Sequence, residues 1–397
     1  MSHNFFHWQL LLRTMNYIAL KMLIGDRMKY LSLIAGLSFA SLLITQQASI
    51  FTGYSLRTGS WLRDTDVADL WVFDEQAEFS DDFKLMLDTS LNRVRGIPGV
   101  QWAQPMYKNF VNVILPDGTS TNTRMVGLDA TTLLGGPPEM VEGELRDLRR
   151  DRAVFINIAD ASDSLSLKRN PGGARPLRVG DRISVNDHEA IVAGTYKCTK
   201  EFFWEPVIYT TFSRASFMGP KVRRSLTYVL VKAQPGSNIT ELARRIHEKT
   251  GLAALTRPQF EWQTMLWIIR KTGILVNFGI TIALGVVIGL LAAGQTFFNF
   301  ILDNTRHFAT LKAMGASGLT LMRMVLIQVS FVGLIGYGIG LGGACLTGLA
   351  FQRVGLAFMM PWQIPLVGAA AIVLCCSFAG FISMIRVLRL EPAIVFK

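Results

Sequence analysis

The sequence predicts an α-helical membrane protein with four transmembrane helices and one large mixed α/β domain on the extracytoplasmic side. Three observations carry that fold class. Four runs of about 20 residues or longer hold no charged side chain: Tyr30–Ile50, Gly273–Leu302, Met324–Phe351 and Ile364–Ile385. About 20 apolar residues, at 1.5 Å rise each, cross the hydrocarbon core of a bilayer. Between the first and second runs lies a nearly neutral block, residues 52–265, with 27 basic and 26 acidic side chains. The remainder holds 13 basic against 3 acidic residues, gathered beside the runs. The chain has 397 residues, 17% of them charged, with a net charge of +11. A soluble chain of this size carries about 25% charged residues.

The N-terminal segment, residues 1–29, reads as a cytoplasmic amphipathic helix leading into the first span, 30–51. It has no small-x-small cleavage site and is expected to be retained. Arg13, Lys21, Arg27 and Lys29 precede this span; Arg306, Lys312 and Arg323 lie between the second and third; Arg386, Arg389 and Lys397 follow the fourth. Excess Lys and Arg mark the cytoplasmic side. Both termini are therefore predicted inside and 52–265 outside. The basic excess calls for no nucleic acid.

In the outer block, "ADLWVF" reads as a strand. "SDDFKLMLDTSLNRV" reads as a helix over Ser80–Val94, with Ser80 as N-cap and Asp81 and Asp82 in its first turn. "FVNVILPDGTSTNTRMVGL" is a hairpin turning at Pro116-Asp117-Gly118. "SLTYVLVKAQPG" is another strand. "SNITELARRIHEKTG" is a helix with Asn238 and Glu241 in capping-box spacing and Gly251 ending it. The order is β-α-β-β, a strand-rich insert over roughly 131–222, then β-α. "VGDRISV" and "EAIVAGTY" are strands of that insert; "GGPPEM" and "NPGGARP" are loops. Residues 258–272 form a stalk that places Phe260, Met265, Leu266, Ile268 and Ile269 mostly on one side. It reads either as an interfacial anchor or as a rod running on into the second span. The spans 273–302, 319–351 and 364–386 follow, with a short outer loop at 352–363 and a cytoplasmic tail at 387–397.

No catalytic constellation is visible. There is no His-Glu-x-x-His, no Gly-x-Ser-x-Gly and no Cys/His zinc spacing, so no catalytic residue, metal or cofactor is expected in this chain. Of the four cysteines, Cys198 alone lies in the outer block, so no disulfide can form within it. The dipeptide Gly-Lys, which a Walker loop requires, does not occur. The formal Gly-x-Gly-x-x-Gly of Gly338, Gly340 and Gly343 lies inside a span, where no dinucleotide loop can form. Gly333, Gly336, Gly340 and Gly343 instead recur at 3-4-3 spacing, which makes a small helix face suited to close packing in lipid. Gly285 and Gly289 do the same in the second span. Gln295 and Gln328 are polar groups within spans, read as interhelical packing contacts.

"DNTRHFATLKAMGAS", Asp303–Ser317, joins the second and third spans. Phe308, Leu311 and Met314 recur every third residue and line one helix face, flanked by Arg306, His307, Thr310 and Lys312. Gly315 is a natural terminator of the helix to which Ala313 also belongs, and Ser317 can cap the next one. The segment, 303–318, is predicted to be a short amphipathic helix whose Phe/Leu/Met face enters a partner's groove, with Arg306 and Lys312 at the rim; the alternative is an interfacial loop that carries only the positive charge of the cytoplasmic side.

"TRHFATLKAMGAS" resembles the coupling segment of FtsX/MacB-type ABC transporter permeases, and "FATLKAMG" is most similar to the DevC-like branch. The resemblance extends over the chain. "ALKMLIGDRMKYLSLIAGLSFASLLI" is similar to the family's opening helix and first span, and "RVLRLEPAIVFK" to its ending. His307 stands where many members have Glu, Ala309 where many have Gly, and Gln328 where an acidic residue is frequent. The resemblance implies a MacB-like periplasmic core with a β-rich insert and a location in the bacterial inner membrane. It also implies a homodimer whose protomers each bind a separate cytoplasmic ABC ATPase, which holds ATP-Mg. Its motion would pass through the coupling helix, Arg306–Gly315, to the periplasmic domain. Relatives of this type work with a periplasmic membrane-fusion adaptor and an outer-membrane duct in efflux or export. An FtsX-like regulator of a cell-wall enzyme and a lipoprotein-release-type permease are the alternatives.

Overall fold

The structure is a computed structural model that describes residues 17–169, 173–203, 205–220 and 226–388. The first sixteen residues of the opening helix, the start of "NPGGARP", the end of the insert at 221–222 and the tail from 389 onward lie outside the described residues.

Twelve α-helices are described in chain order. They are α1 (residues 17–25), α2 (Arg27–Arg57), α3 (Ser60–Asp64), α4 (Thr89–Arg95), α5 (Ile158–Ser162), α6 (Phe212–Met218), α7 (Ile239–Thr250), α8 (Arg257–Lys271), α9 (Ile274–Asp303), α10 (Thr305–Ala313), α11 (Gly318–Arg353) and α12 (Gln363–Leu388). The strands are β1 (Leu70–Phe73), β2 (Val100–Ile114), β3 (Ser120–Leu128), β4 (Glu139–Glu142), β5 (Ala153–Asn157), β6 (Leu167–Arg169), β7 (Gly173–Arg175), β8 (Arg182–Val185), β9 (His188–Lys197), β10 (Val207–Thr211), β11 (Tyr228–Ala233) and β12 (Ala253–Leu255). Four helices are long and apolar enough to cross a membrane: Arg27–Arg57, Ile274–Asp303, Gly318–Arg353 and Gln363–Ile385. The chain divides into two compact units, one of residues 1–54 and 273–397, the other of Ser55–Thr272.

The second unit is built on one mixed sheet in the order β12-β1-β11-β2-β3-β10-β5-β9-β4, with β8 pairing β2 and β9. Most strands of the insert extend this sheet, β10 running parallel to β3 from Val207↔Arg124 to Thr211↔Leu128, while β6 and β7 pair with each other in a separate two-stranded sheet. The β2–β3 hairpin closes at Ile114↔Ser120. There Gly118 takes φ +84° and the Asp117 carboxylate accepts from the Thr119 amide at 2.9 Å, the turn chemistry that Asp-Gly supplies. Asn238 caps α7 by accepting from the Thr240 and Glu241 amides, and Gly251 ends it left-handed at φ +70°. The reciprocal half of the expected capping box is not made, because Glu241 turns to Arg244 and Arg245.

Two further expectations are corrected. The helix expected over Ser80–Val94 is short, covering only Thr89–Arg95. Residues 80–88 are drawn into tertiary contacts: the Ser80 amide donates to Thr264 Oγ1, Tyr228 Oη donates to the Ser80 carbonyl, and Met86 bridges Leu226. Asp81 is turned inward onto buried cations, so tertiary bonding overrides local helix propensity. The reading of the stalk as one rod running into the second span also fails. Thr272 caps α8, and Gly273, at φ +68°, precedes α9. Helix α8 itself starts on a Thr256/Gln259 capping box and buries Phe260, Thr264 and Ile268, spaced four apart.

In the other unit, glycines of α9 and α11 lie close against neighbouring helices. A Cβ built on Gly340 would lie 2.4 Å from the Ser38 carbonyl oxygen, and one on Gly336 would lie 2.8 Å from Leu37 Cβ. Gly343 faces Leu42, so this face of α11 lies against α2; Gly333 faces Cys376 of α12. Gly285 and Gly289 meet Ile44 and Ala40 of α2, and Gly289 also meets Cys375. Gln328 is buried and donates to the Ala19 carbonyl of α1 at 2.7 Å, whereas Gln295 is exposed.

Candidate functional site

The segment between α9 and α11 is defined on both sides by backbone chemistry. Thr305 Oγ1 donates to the Ile301 carbonyl at 2.9 Å as α10 begins. At its end Gly315 adopts φ +96°, and the Ala316 amide reaches back to the Leu311 carbonyl at 3.0 Å, the closure a left-handed glycine permits. Ser317 then accepts from the Thr320 amide and starts α11.

Helix α10 departs from the expectation at Phe308 and Leu311. Phe308 and Ala309 are fully buried and Leu311 is 9% exposed. They pack in one cluster with Ala19 and Leu23 of α1, Phe297 and Phe300 of α9, and Leu321 and Met324 of α11. Phe308 and Leu311 therefore cannot enter a partner's groove; they fasten α10 to its own bundle. Met314, the third residue of the expected stripe, is 71% exposed; it lies at the C-cap, past the last residue of α10. Ala309 is the small residue that such an interior position admits. The face left to solvent comprises Arg306, His307, Thr310, Ala313, Met314 and Gly315, with Lys312 half-buried. Leu319, at the start of α11, is 77% exposed beside it. Sequence reasoning missed Leu319, which reads as the first residue of a span, and it missed α1 as the packing partner.

A second constellation lies within the α/β domain and carries no sequence signature. Lys108 on β2 and Arg124 on β3 are both fully buried. Lys108 Nζ bonds Asp81 Oδ1 at 2.8 Å, lies 3.8 Å from Glu201, and sits 3.6 Å from the centre of the Trp61 ring. Arg124 pairs with Asp81 at 3.2 Å, with Glu205 at 2.7 Å and with Glu201, and also donates to the Phe203 carbonyl. Two cations are thus shared by three carboxylates. Burial pushes the Glu201 carboxyl up, with Lys108 and Arg124 opposing and Asp81 adding to the rise. Burial also acts to raise Asp81, but the charges of Lys108 and Arg124 outweigh it and hold that carboxyl below its usual range. Arg124 loses some basicity to burial and gains more from Glu201 and Asp81, so it stays protonated. Buried charges persist when paired and hydrogen-bonded in this way. Among the described residues, no group of three or more His, Cys, Asp or Glu side chains could hold a metal ion.

Residues 31–249 match the family model of the MacB-like periplasmic core domain, and residues 274–392 match that of the FtsX-like permease C-terminal region. No curated protein matches the sequence. Among solved structures, the chain is similar to the periplasmic region of MacB from Actinobacillus actinomycetemcomitans, with 13% identity and a TM-score of 0.36, covering 51% of this chain and 94% of that one. It is also similar to the extracellular domain of the ABC-type transporter YknZ from Gram-positive bacteria, with 14% identity, a TM-score of 0.33, and coverage of 48% and 99%. A domain of a permease protein from Porphyromonas gingivalis matches at 14% identity and a TM-score of 0.31, with coverage of 47% and 88%. Since the two family models together take in most of the α/β domain and of the four candidate spans, the chain belongs to the FtsX-like ABC transporter permeases with a MacB-like periplasmic core domain.

Proposed function

We propose that the chain is the transmembrane subunit of a bacterial inner-membrane ABC exporter, with both termini cytoplasmic. It works as a homodimer and passes the motion of a separate ATPase to its periplasmic domain. The observation that carries this reading is α10, which packs its apolar face into α1, α9 and α11 and leaves Arg306, His307, Thr310, Ala313 and Met314 bare. A helix fixed to its own bundle on one side and open on the other can pass a push inward. The exposed Met314 and Leu319 supply the apolar anchors, and Arg306 supplies a rim charge. No cofactor is assigned to this chain; ATP and Mg²⁺ belong to the partner.

Similarity to the DevC-like branch favours a tripartite export system with a membrane-fusion adaptor and an outer-membrane duct. Co-purification from mild detergent tests this. Recovery of an ABC ATPase and an adaptor supports it, and recovery of a cell-wall hydrolase as the only periplasmic partner favours an FtsX-like regulator. Within that experiment, Met314→Asp should release the ATPase at unchanged permease level, because burying a side chain of this size is worth roughly 1.5–3 kcal/mol. Leu311→Asp should instead lower the level of folded permease. Cysteines introduced at Ser120 and Ser317 should label oppositely with an impermeant thiol reagent in spheroplasts; equal labelling overturns the topology.

A further inference from the structure

Helix α8, which immediately precedes the second candidate span in sequence, does not touch the α/β domain only through its buried Phe260. It also grips one short segment, Ala77–Asp82, at four successive points. Gln263 Nε2 donates to the Ala77 and Glu78 carbonyls at 3.3 and 3.1 Å. Trp267 Nε1 donates to the Glu78 carboxylate. The Trp267 ring stacks on Phe79 at 3.8 Å and 15°. Thr264 Oγ1 accepts from the Ser80 amide at 3.2 Å. The next residue, Asp81, is the carboxylate that Lys108 and Arg124 share.

The same Arg124 holds the loop between β9 and β10 by the Glu201 and Glu205 carboxylates and the Phe203 carbonyl. Phe203 completes the path from the other side, with its ring 6.4 Å from that of Phe79. Helix, segment and loop are therefore joined by an aromatic route, Trp267–Phe79–Phe203, and by an ionic route, Asp81–Arg124–Glu201/Glu205. Segment 77–82 has no strand or helix of its own, so its position is set by these two ends and by the Tyr228 hydroxyl, which donates to the Ser80 carbonyl between them at 2.6 Å. A buried ion pair tolerates little displacement, because separating the charges leaves each of them unpaired in a poorly solvated interior. A movement of the segment at the α8 end is thus passed to the loop rather than absorbed.

We propose that Ala77–Asp82 is a strap that couples the position of helix α8 to the order of the β9–β10 loop, with the Asp81/Lys108/Arg124/Glu201/Glu205 cluster as its far anchor. That the strap carries motion during a transport cycle rests on the function proposed above. The coupling itself does not, and it is measured without the ATPase.

The test is amide hydrogen exchange on the full chain in lipid nanodiscs, comparing Trp267→Leu, Thr264→Val, Asp81→Asn and the Trp267→Leu/Asp81→Asn double variant. Trp267→Leu removes a stacked pair far along α8, and the peptide covering 198–203 should then open more often by roughly tenfold or less, the factor an aromatic pair supplies. Thr264→Val should act in the same direction. Asp81→Asn should also loosen that peptide, and in the double variant Trp267→Leu should add less than it does alone, since the ionic route is already cut and only the Phe79–Phe203 contact is left to it. Unchanged exchange at 198–203 in Trp267→Leu overturns the proposal, whether or not residues 77–82 loosen. So do additive effects in the double variant, and so does an equal rise across the β2–β3 hairpin, which reports general destabilisation.

Discussion

The α/β domain and the helical bundle of this chain are held together by opposite means. The domain packs large side chains: Trp61, Trp71, Phe73, Tyr228 and Phe260 form one aromatic cluster, with Phe73 and Phe260 stacked at 4.4 Å. It also buries two cations against three carboxylates. The bundle packs absences. Its close approaches are made at Gly289, Gly333, Gly336, Gly340 and Gly343, and among the described residues it buries no charged side chain. The difference follows from the solvent each unit is built for. In water, burying aromatic area drives folding, and a few ion pairs can be carried along. In lipid, the tails are as apolar as the side chains, so stability comes from how closely backbones approach.

The largest effect that separates the two designs is expected in the α/β domain. Asp81→Ala leaves Lys108 and Arg124 buried with one carboxylate fewer, and breaking a buried pair costs about 3–5 kcal/mol. Urea unfolding followed by tryptophan fluorescence should show a loss of that size. A loss below about 1 kcal/mol, the worth of an exposed pair, would show that the cluster is solvated. The corresponding test in the bundle is Gly340→Leu. A Cβ there meets the Ser38 carbonyl and the Ser41 side chain, and overpacking costs about 1–3 kcal/mol. Gly338, two residues away, has nothing within 4 Å of its Cβ position, so Gly338→Leu should cost little. A thermal melt reported by a dye reactive toward the buried thiols of Cys375 and Cys376 should separate the variants. Equal melts would mean that the glycine face is not an interhelical contact.

The bundle is the more legible of the two in sequence, and for the same physical reason. An uncharged run of 20 residues has few alternatives to a span, and glycines three and four apart fall on one face of any helix, so Gly333 to Gly343 can be read without knowing the partner. The side on which a short helix is buried cannot be read. Phe308 and Leu311 are apolar toward either a partner or their own bundle, and only α1 packed beneath them decides it. The strands and the Asp-Gly hairpin of the α/β domain are legible from local chemistry. The ionic cluster is not, because Asp81, Lys108, Arg124, Glu201 and Glu205 come from four separate segments. By local pattern alone, Asp81 has the look of a helix N-terminal acid, and only its tertiary partners say otherwise.

A smaller effect concerns pH, and its sign is set by the imbalance of two cations against three carboxylates. Glu201 has its carboxyl raised above the usual 4.5 by burial. It therefore favours the folded domain below that value, and the contribution is lost as pH rises through the raised one. Asp81 is lowered from 3.8 and contributes above that value, its share being lost as the solution becomes more acidic. Stability of the domain should thus peak in the mildly acidic range. Glu201→Gln, which keeps an acceptor for Arg124, should remove the decline on the alkaline side and leave the acid limb. Parallel pH profiles for the two proteins would remove Glu201 from the account.

The smallest effect is expected where the two units are given the same kind of change, deletion of a buried polar group. Gln328 is fully buried in the bundle and makes one bond, to the Ala19 carbonyl of α1; its Oε1 has no partner. Gln328→Leu gives up an interhelical bond worth about 0.6 kcal/mol in a membrane protein, but it also removes an unsatisfied buried carbonyl, which costs roughly 1–3 kcal/mol to keep. The two effects oppose each other, and the leucine side chain is close in volume, so the melt should move little in either direction. Asp81→Asn, a change of similar modesty on paper, should be costly because it deletes a charge that two buried cations share. If Gln328→Leu destabilises the bundle as much as Asp81→Asn destabilises the α/β domain, the Gln328–Ala19 bond is a principal fastening of α1. The bundle would then rest on polar contacts as the domain does, and the division between the two designs would fail at its most exposed point.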